Sequence, residues 1–171
     1  NNSGYNRGID VHNYNHNLKI EDNSIINNGE HGIRINERND MYSIKSNTIN
    51  SHSYYGIYLN VYNHGNVEYN LIVNNGGGIY INGAYYGPTS ILNNTISDNN
   101  NDGLYWNSYN DNQYTLRLVN NSITSNNGVG VNINNGGNSN SIYYNNSWNN
   151  SNGNYSGSLA TGTGNLTNIN T

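Results

Sequence analysis

The stretch that decides the fold is residues 32–50, GIRINERNDMYSIKSNTIN, because it combines two short motifs. The first motif is a Gly followed by two aliphatic residues on either side of a variable one, as in Gly32-Ile33-Arg34-Ile35. The second motif is aliphatic-x-x-Asn-x-aliphatic, formed by Ile44, Asn47 and Ile49. Apolar and polar residues alternate in both motifs, which predicts short half-buried β-strands rather than a helix.

Both motifs recur along nearly the whole chain, at intervals of about 24 residues. The first motif begins at Gly8, Gly32, Gly56, Gly78, Gly103 and Gly130. The second has its Asn at Asn23, Asn47, Asn70, Asn94 and Asn121, with a degenerate sixth copy at Asn146, because Ile142 falls one residue out of frame. Three short strands per period predict an all-β, right-handed parallel β-helix (solenoid) of about six coils.

Two regions are predicted from the extent of the repeat. Residues 1–150 are expected to form the parallel β-helix domain, and residues 151–171 an irregular coil, cap or linker rich in Gly, Ser, Thr and Asn. The chain begins with Asn1 rather than Met, which indicates a processed product or a segment of a longer protein. No amphipathic segment precedes Gly8, so we expect missing coils or another molecule to cover the edge of the first coil.

Stacking of the coils converts repeat positions into columns. One corner column is predicted to be an Asn ladder, since Asn tolerates the left-handed conformation of a sharp corner and stacked amides can hydrogen-bond from coil to coil. Its members are Asn23, Asn47, Asn70, Asn94, Asn121 and Asn146. Removing one rung is expected to leave neighbouring amides unpaired.

A second column carries aromatic residues on the outer surface. The outward positions of the Gly motif are Asp10, Arg34, Tyr58, Tyr80, Tyr105 and Asn132. The candidate surface for carbohydrate binding or self-association therefore consists of Tyr58, Tyr80 and Tyr105, with Tyr85, Tyr86 and Trp106 nearby. Aromatic rings beside amides can bind sugars. Alternatively, Tyr simply favours exposed strands, or the column forms a contact surface for a neighbouring molecule.

Composition excludes several classes of protein. Charged residues make up 9% of the 171 residues, the net charge is −4, and the basic residues are scattered, so nucleic-acid binding lacks its electrostatic footprint. An apolar run of 18 or more residues, as a membrane-spanning helix requires, is missing from the sequence. With 46 Asn the chain is polar enough to suggest disorder, but its 17 Tyr and its periodicity favour a folded protein.

The sequence contains seven Asn-x-Ser/Thr sequons, several of them expected by chance in so Asn-rich a chain. They permit N-glycosylation on a glycosylating export route. The candidate acceptors are Asn1, Asn93, Asn120, Asn145, Asn149, Asn154 and Asn165.

The repeated GIxI and Asn-x-Ile pattern over residues 8–150 resembles the parallel β-helix repeats of the pectate-lyase-like superfamily. It looks most like the NosD-like and prokaryotic surface-protein branch. The resemblance implies the fold and leaves the function open, since the superfamily includes lyases, hydrolases, binding modules and surface rods. Enzymatic members resemble one another in their clustered carboxylates with an adjacent Arg or Lys.

Catalytic and metal sites are not predicted. Glu21 and Asp22 are adjacent but alternate in direction, and Asp98 and Asp102 lie on an Asn-rich loop without a basic neighbour, so the paired carboxylates that a glycosidase needs are missing. The resemblance to NosD-like proteins links the family to copper, but the repeat does not place three of His12, His16, His31, His52 and His64 on one column. We therefore expect no cofactor and no metal.

Three functional hypotheses remain. The leading one is a non-catalytic extracellular or cell-surface structural protein that associates with copies of itself into a filament, sheath or surface layer, possibly glycosylated. The alternatives are a carbohydrate-binding module with a polysaccharide as partner, and a divergent polysaccharide lyase or hydrolase. Neither nucleic acid nor a membrane is an expected partner.

Overall fold

The computed structural model is a parallel β-solenoid, described for residues 6–60, 64–83, 88–107, 115–134, 141–157 and 163–167. Its strands follow one another as coils of three, and the described residues contain no helix. In chain order the strands are β1 (Ile9–Val11), β2 (Lys19–Glu21), β3 (Ser24–Ile26), β4 (Ile33–Ile35), β5 (Asp40–Lys45), β6 (Thr48–Asn50), β7 (Tyr55–Leu59), β8 (His64–Glu68), β9 (Leu71–Val73), β10 (Gly77–Asn82), β11 (Thr89–Leu92), β12 (Thr95–Ser97), β13 (Leu104–Asn107), β14 (Leu116–Val119), β15 (Ser122–Thr124), β16 (Val131–Asn134), β17 (Ser141–Tyr143), β18 (Asn146–Trp148) and β19 (Tyr155–Gly157).

These strands build three parallel sheets. Sheet A has the order β1-β4-β7-β10-β13-β16-β19, sheet B β2-β5-β8-β11-β14-β17, and sheet C β3-β6-β9-β12-β15-β18. Coil 1 is β1–β3, coil 2 is β4–β6, and the numbering continues to coil 6, β16–β18. Each strand therefore pairs with the equivalent strand one coil away, as the 24-residue period predicts.

The core lies inside the solenoid and is almost entirely aliphatic. Alternation along each short strand directs one or two side chains inward, and these stack on their equivalents in the neighbouring coils. In sheet A, for example, Ile33 pairs with Ile57, and Ile57 with Ile79, all three fully buried. Each residue of such a column packs between its equivalents in the two neighbouring coils. β-branched side chains suit this packing on strands, which is why Ile dominates the repeat.

The Gly of the first motif is required by close approach of the coils. A Cβ atom on Gly32 would lie 2.6 Å from Cγ2 of Ile49 and 2.7 Å from the carbonyl oxygen of Gly56. Gly56, Gly78 and Gly103 meet the same two kinds of neighbour, so the steric demand repeats with the coil.

The sixth coil corrects the predicted frame. Ile142 pairs with Leu118 and is fully buried, so it is in frame rather than one residue out of it. The inward position that follows is Ser147, which pairs with Ile123, whereas Trp148 faces outward. The Ser147 hydroxyl donates to the carbonyl of Asn154 at 2.8 Å, which allows a polar residue in an aliphatic column.

Stacking continues past the predicted domain boundary at residue 150. Strand β19 pairs with β16, and Leu166 bridges to Asn146.

Candidate functional site

The first feature is the corner between sheets B and C, where a ladder of mostly buried Asn side chains runs along the rod. Asn70 shows the repeating geometry: its main-chain N–H and its Nδ2 both donate to Oδ1 of Asn94, at 2.9 and 3.0 Å, and Nδ2 also donates to the carbonyl of Ile44 at 2.9 Å. The residue before each rung has a positive φ, as Tyr69 does at 56°. The rungs are Asn23, Asn47, Asn70, Asn94, Asn121, Asn145 and Asn165.

The prediction of Asn146 as the sixth rung is wrong. Asn121 donates to Oδ1 of Asn145 at 3.0 and 2.9 Å, and Asn145 is fully buried. The error follows from the frame of Ile142: once Ile142 is accepted as the inward residue, the rung falls three positions later, at Asn145.

A second ladder follows the first at a constant offset of five residues, in the corner after sheet C. Its members at this offset are Asn28, His52, Asn75, Asn99, Asn126 and Asn150, and the last member, Asn154, lies four residues after Asn150. The residue that immediately precedes each of the first six members has a positive φ, as Asn74 does at 57°. Sequence reasoning missed this ladder, although the constant offset in the sequence could have shown it.

His52 takes the place of an amide in this second ladder. Its Nδ1 accepts the main-chain N–H of Asn28 at 3.1 Å, as the Oδ1 of an Asn rung does, and its Nε2 donates to the carbonyl of Ile25 at 3.0 Å, as Nδ2 does. This pattern requires the neutral tautomer with the proton on Nε2. Burial lowers the pKa of His52, whereas the hydrogen bond from Nε2 to the carbonyl of Ile25 opposes that shift.

The third feature is an aromatic strip on the outer face of sheet A. The predicted column is present in register, since Tyr80 pairs with Tyr58 on one side and with Tyr105 on the other. Ring centroids are 5.1 Å apart for Tyr58 and Tyr80, and 5.2 Å apart for Tyr80 and Tyr105. Three further rings extend the contacts, so the strip consists of His31, Tyr54, Tyr55, Tyr58, Tyr80 and Tyr105.

The stacking determines which atoms of the strip a ligand could reach. The rings of Tyr58 and Tyr80 are within 10° of parallel, so they cover each other's faces. His31 lies 4.8 Å from Tyr58, and the Arg34 guanidinium lies 5.9 Å from the centroid of Tyr58. The last Tyr of the column is Tyr105, which pairs with Asn132 in coil 6.

Two ionisable groups of the strip are strongly perturbed. Burial raises the pKa of Tyr55 to about 12, and Tyr80 and Asp102 act in the same direction. Burial lowers the pKa of His31 to about 4, and the positive charges of Arg34 and Arg7 lower it further, while Glu30 opposes them. Both groups are consequently neutral at pH 7.

Trp106 does not belong to this surface, which corrects the prediction. Its side chain is 1% exposed and occupies an inward position, where it pairs with Ile81 and Ile133. Alternation places Tyr105 outward and Trp106 inward. The predicted surface residues Tyr85 and Tyr86 lie outside the described residues.

Charged residues are concentrated in the first two coils and pair with one another. The Arg7 guanidinium contacts Asp10 at 2.5 Å and Glu30 at 2.7 Å. Asp40 lies between two imidazoles, with Nδ1 of His16 at 3.3 Å and Nδ1 of His64 at 3.6 Å. Within the described part of the chain, groups of three or more His, Cys, Asp or Glu that could hold a metal ion are not found.

The sequons differ in exposure. Asn120 and Asn149 are exposed, Asn93 is half-buried, and Asn1 lies outside the described residues. Asn145 is a buried rung, so the prediction of an acceptor there is wrong for the folded chain, because its amide is engaged on both sides. Asn154 and Asn165 also hold ladder bonds through their amides.

Comparison with known proteins gives one match. A family model described as "Right handed beta helix region" matches residues 7–171. Neither the curated proteins nor the solved structures gave a match. Among the residues that the structure describes, no helix is long and apolar enough to cross a membrane.

Proposed function

The chain belongs to the right-handed β-helix family, and from this premise we propose that it is a non-catalytic structural rod of an extracellular or cell-surface protein, which associates end to end with copies of itself. The observation that carries the proposal is the polarity of the two ladders. In both ladders the main-chain N–H of each rung before the last donates to the side-chain acceptor of the next rung, as that of Asn47 does to Oδ1 of Asn70. The rod therefore presents amide acceptors on the side of coil 1.

The described part of coil 1 carries partly exposed apolar residues and an amide acceptor that a further coil would cover. Ile9 and Val11 are only partly buried, whereas their equivalents in coil 2, Ile33 and Ile35, are fully buried. Leu18 is also only partly buried. No described residue donates to Oδ1 of Asn23. A second copy seated there would bury the aliphatic residues and supply donors to the amide, since it would repeat the contact that each coil makes with the next.

Main-chain groups of coil 1 also face away from coil 2. The carbonyl of Leu18 accepts from the main-chain N–H of Ser43 at 2.8 Å, so the main-chain groups of Leu18 and Ile20 point toward coil 2. Because main-chain direction alternates along a strand, the N–H of Lys19 points to the opposite side. The same argument applies to Asp10 in β1 and Ser24 in β3, because Val11 and Asn23 accept from coil 2. An added strand would pair with these groups.

Replacing Lys19 by Pro tests the association. Pro removes an N–H that coil 2 does not use, at the first position of a strand, where Pro is tolerated. We expect the parent chain to form concentration-dependent assemblies in sedimentation velocity, and Lys19→Pro to reduce them at least tenfold. Lys19→Ala, which removes the same charge but keeps the N–H, is expected to assemble like the parent. A parent chain that stays monomeric at high concentration would contradict the proposal.

A second candidate function, carbohydrate binding, is favoured by the aromatic strip. Tyr105 ends the stack beside Asn132, whose Nδ2 donates to Asp102 at 2.9 Å, so a ring and polar side chains lie together. Sugars use this combination, since an apolar ring face contacts the aromatic and hydroxyls contact polar groups.

Affinity electrophoresis in gels that contain soluble polysaccharides tests this second function. We expect Tyr105→Ala to lose about tenfold in affinity, because the end of the stack is removed. Tyr69→Ala, an exposed Tyr at the corner before Asn70, is the matched control and is expected to migrate like the parent. Absence of retardation of the parent in every gel would rule the strip out as a sugar site.

A further inference from the structure

His52 is the only titratable rung among those that the structure describes in either ladder. Its six companions in the second ladder are amides, and the rungs of the first ladder are all Asn. An amide keeps its acceptor oxygen at any pH, whereas imidazole loses its acceptor when it is protonated. The ladder thus has one titratable position, at the junction of coils 1 and 2.

We propose that His52 makes this junction acid-sensitive, so that protonation releases coil 1 while coils 2–6 stay stacked. The geometry assigns the effect to coil 1 because both ring nitrogens face it: Nδ1 accepts from the N–H of Asn28, and Nε2 donates to the carbonyl of Ile25. A proton on Nδ1 would place two N–H donors against each other at 3.1 Å. The bond to coil 3 is made by the main-chain N–H of His52 and does not change.

The surroundings of the ring offer no compensation for the charge. The ring is buried beside Gly32, where a Cβ atom would lie 2.7 Å from Cδ2 of His52. Its pKa is affected by burial and by two main-chain hydrogen bonds only, and no carboxylate among the described residues contributes to it. An isolated positive charge at a buried site is strongly disfavoured unless it is paired.

A second buried imidazole lies in the same part of the rod. His31, at the start of coil 2, faces Glu30, Arg7 and Arg34 and the rings of Tyr54, Tyr55 and Tyr58. Burial and, to a smaller extent, the positive charges of Arg34 and Arg7 lower the pKa of His31 against the opposing effect of Glu30, so its protonation is also disfavoured. His12, His16 and His64 lie elsewhere, against the carboxylates of Asp10 or Asp40.

The direction of the pH effect follows from linkage. The pKa of His52 is lower in the folded chain than the ordinary value of 6.5 that applies when it is unfolded. Its contribution is fully present above about pH 6.5 and is lost as the pH falls toward and through the folded value. Because neighbouring coils contact only each other, the loss is local to coil 1.

Hydrogen exchange resolved by mass spectrometry, with correction for intrinsic rates, tests the proposal on the whole chain. In the parent, we expect peptides from residues 7–28 to lose protection by up to tenfold per pH unit below pH 6.5, the slope of one proton. Peptides from residues 88–107 should keep theirs. His52→Asn installs the side chain used by the other rungs and is expected to reduce this slope, leaving the part that follows from the lowered pKa of His31. His12→Asn, the same change at an exposed histidine of coil 1, should behave like the parent.

Two results would overturn the proposal. One is a pH slope in His52→Asn equal to that of the parent, and the other is coil 1 without protection at pH 7. Nitrogen chemical shifts of the imidazoles give an independent check that needs no variant. We expect His52 to hold its proton on Nε2 at pH 7 and to gain a second proton only below its ordinary pKa, so titration at the ordinary pKa would also overturn the proposal. Measured at concentrations where the chain is monomeric, these outcomes do not depend on whether copies associate.

Discussion

Asn145 and Asn146 are adjacent in sequence but have different structural roles. Asn145 accepts two hydrogen bonds from Asn121 and donates through Nδ2 to Leu118, all inside the corner. Asn146 begins β18, and its main-chain N–H, which an Ala would retain, donates to the carbonyl of Asn121. Substituting each residue in turn therefore distinguishes the contribution of the side-chain amides from that of the main-chain hydrogen bonds between strands.

Asn145→Ala is expected to lower the free energy of unfolding by about 1–3 kcal/mol, because it removes the Oδ1 that accepts from the buried main-chain N–H and from Nδ2 of Asn121. Asn146→Ala is the matched control and is expected to cost less than half as much. Urea unfolding followed by circular dichroism, with m-values compared to confirm that the same surface is exposed, measures both. A larger loss for Asn146→Ala would place the rung where the sequence frame first predicted it.

At the scale of the strand and the corner, the sequence predicts the repeat positions that keep the motif residue. It misses those at which another residue type occupies the position. The GIxI motif predicts the strands of sheet A and the outward column from Asp10 to Asn132, because Gly and alternation are both steric requirements. The prediction fails in coil 6, where Ser147 occupies an aliphatic position, since its compensating bond to Asn154 is not visible in sequence.

Trp106 and His52 show the same limit. A Trp beside a tyrosine column suggests a surface, but the period of two along β13 buries it. The second ladder shows in the sequence as Asn at a constant offset, but His52 interrupts that column, and only hydrogen-bond geometry shows that imidazole replaces an amide there. Chemical equivalence, rather than identity, defines these columns.

At the scale of the whole molecule, the rod is a one-dimensional array in which each coil is stabilised by its neighbours. Ile96 is fully buried and pairs with Ile72 on one side and with Ile123 on the other. Ile25 occupies the same column in coil 1, is 8% exposed, and pairs with Ile49 on one side. The same truncation should therefore have unequal consequences along the rod.

Ile96→Ala is expected to cost about 2–5 kcal/mol, because it opens a cavity between two stacked coils. Ile25→Ala is expected to cost less, since coil 1 can separate without disturbing the inner coils. Thermal unfolding gives the total effect, and hydrogen exchange locates it: loss of protection should extend on both sides of coil 4 for Ile96→Ala, but stay within residues 7–50 for Ile25→Ala. Equal losses spread over the whole chain in both variants would mean that the rod unfolds as one cooperative unit, and local release of coil 1 would then be excluded as well.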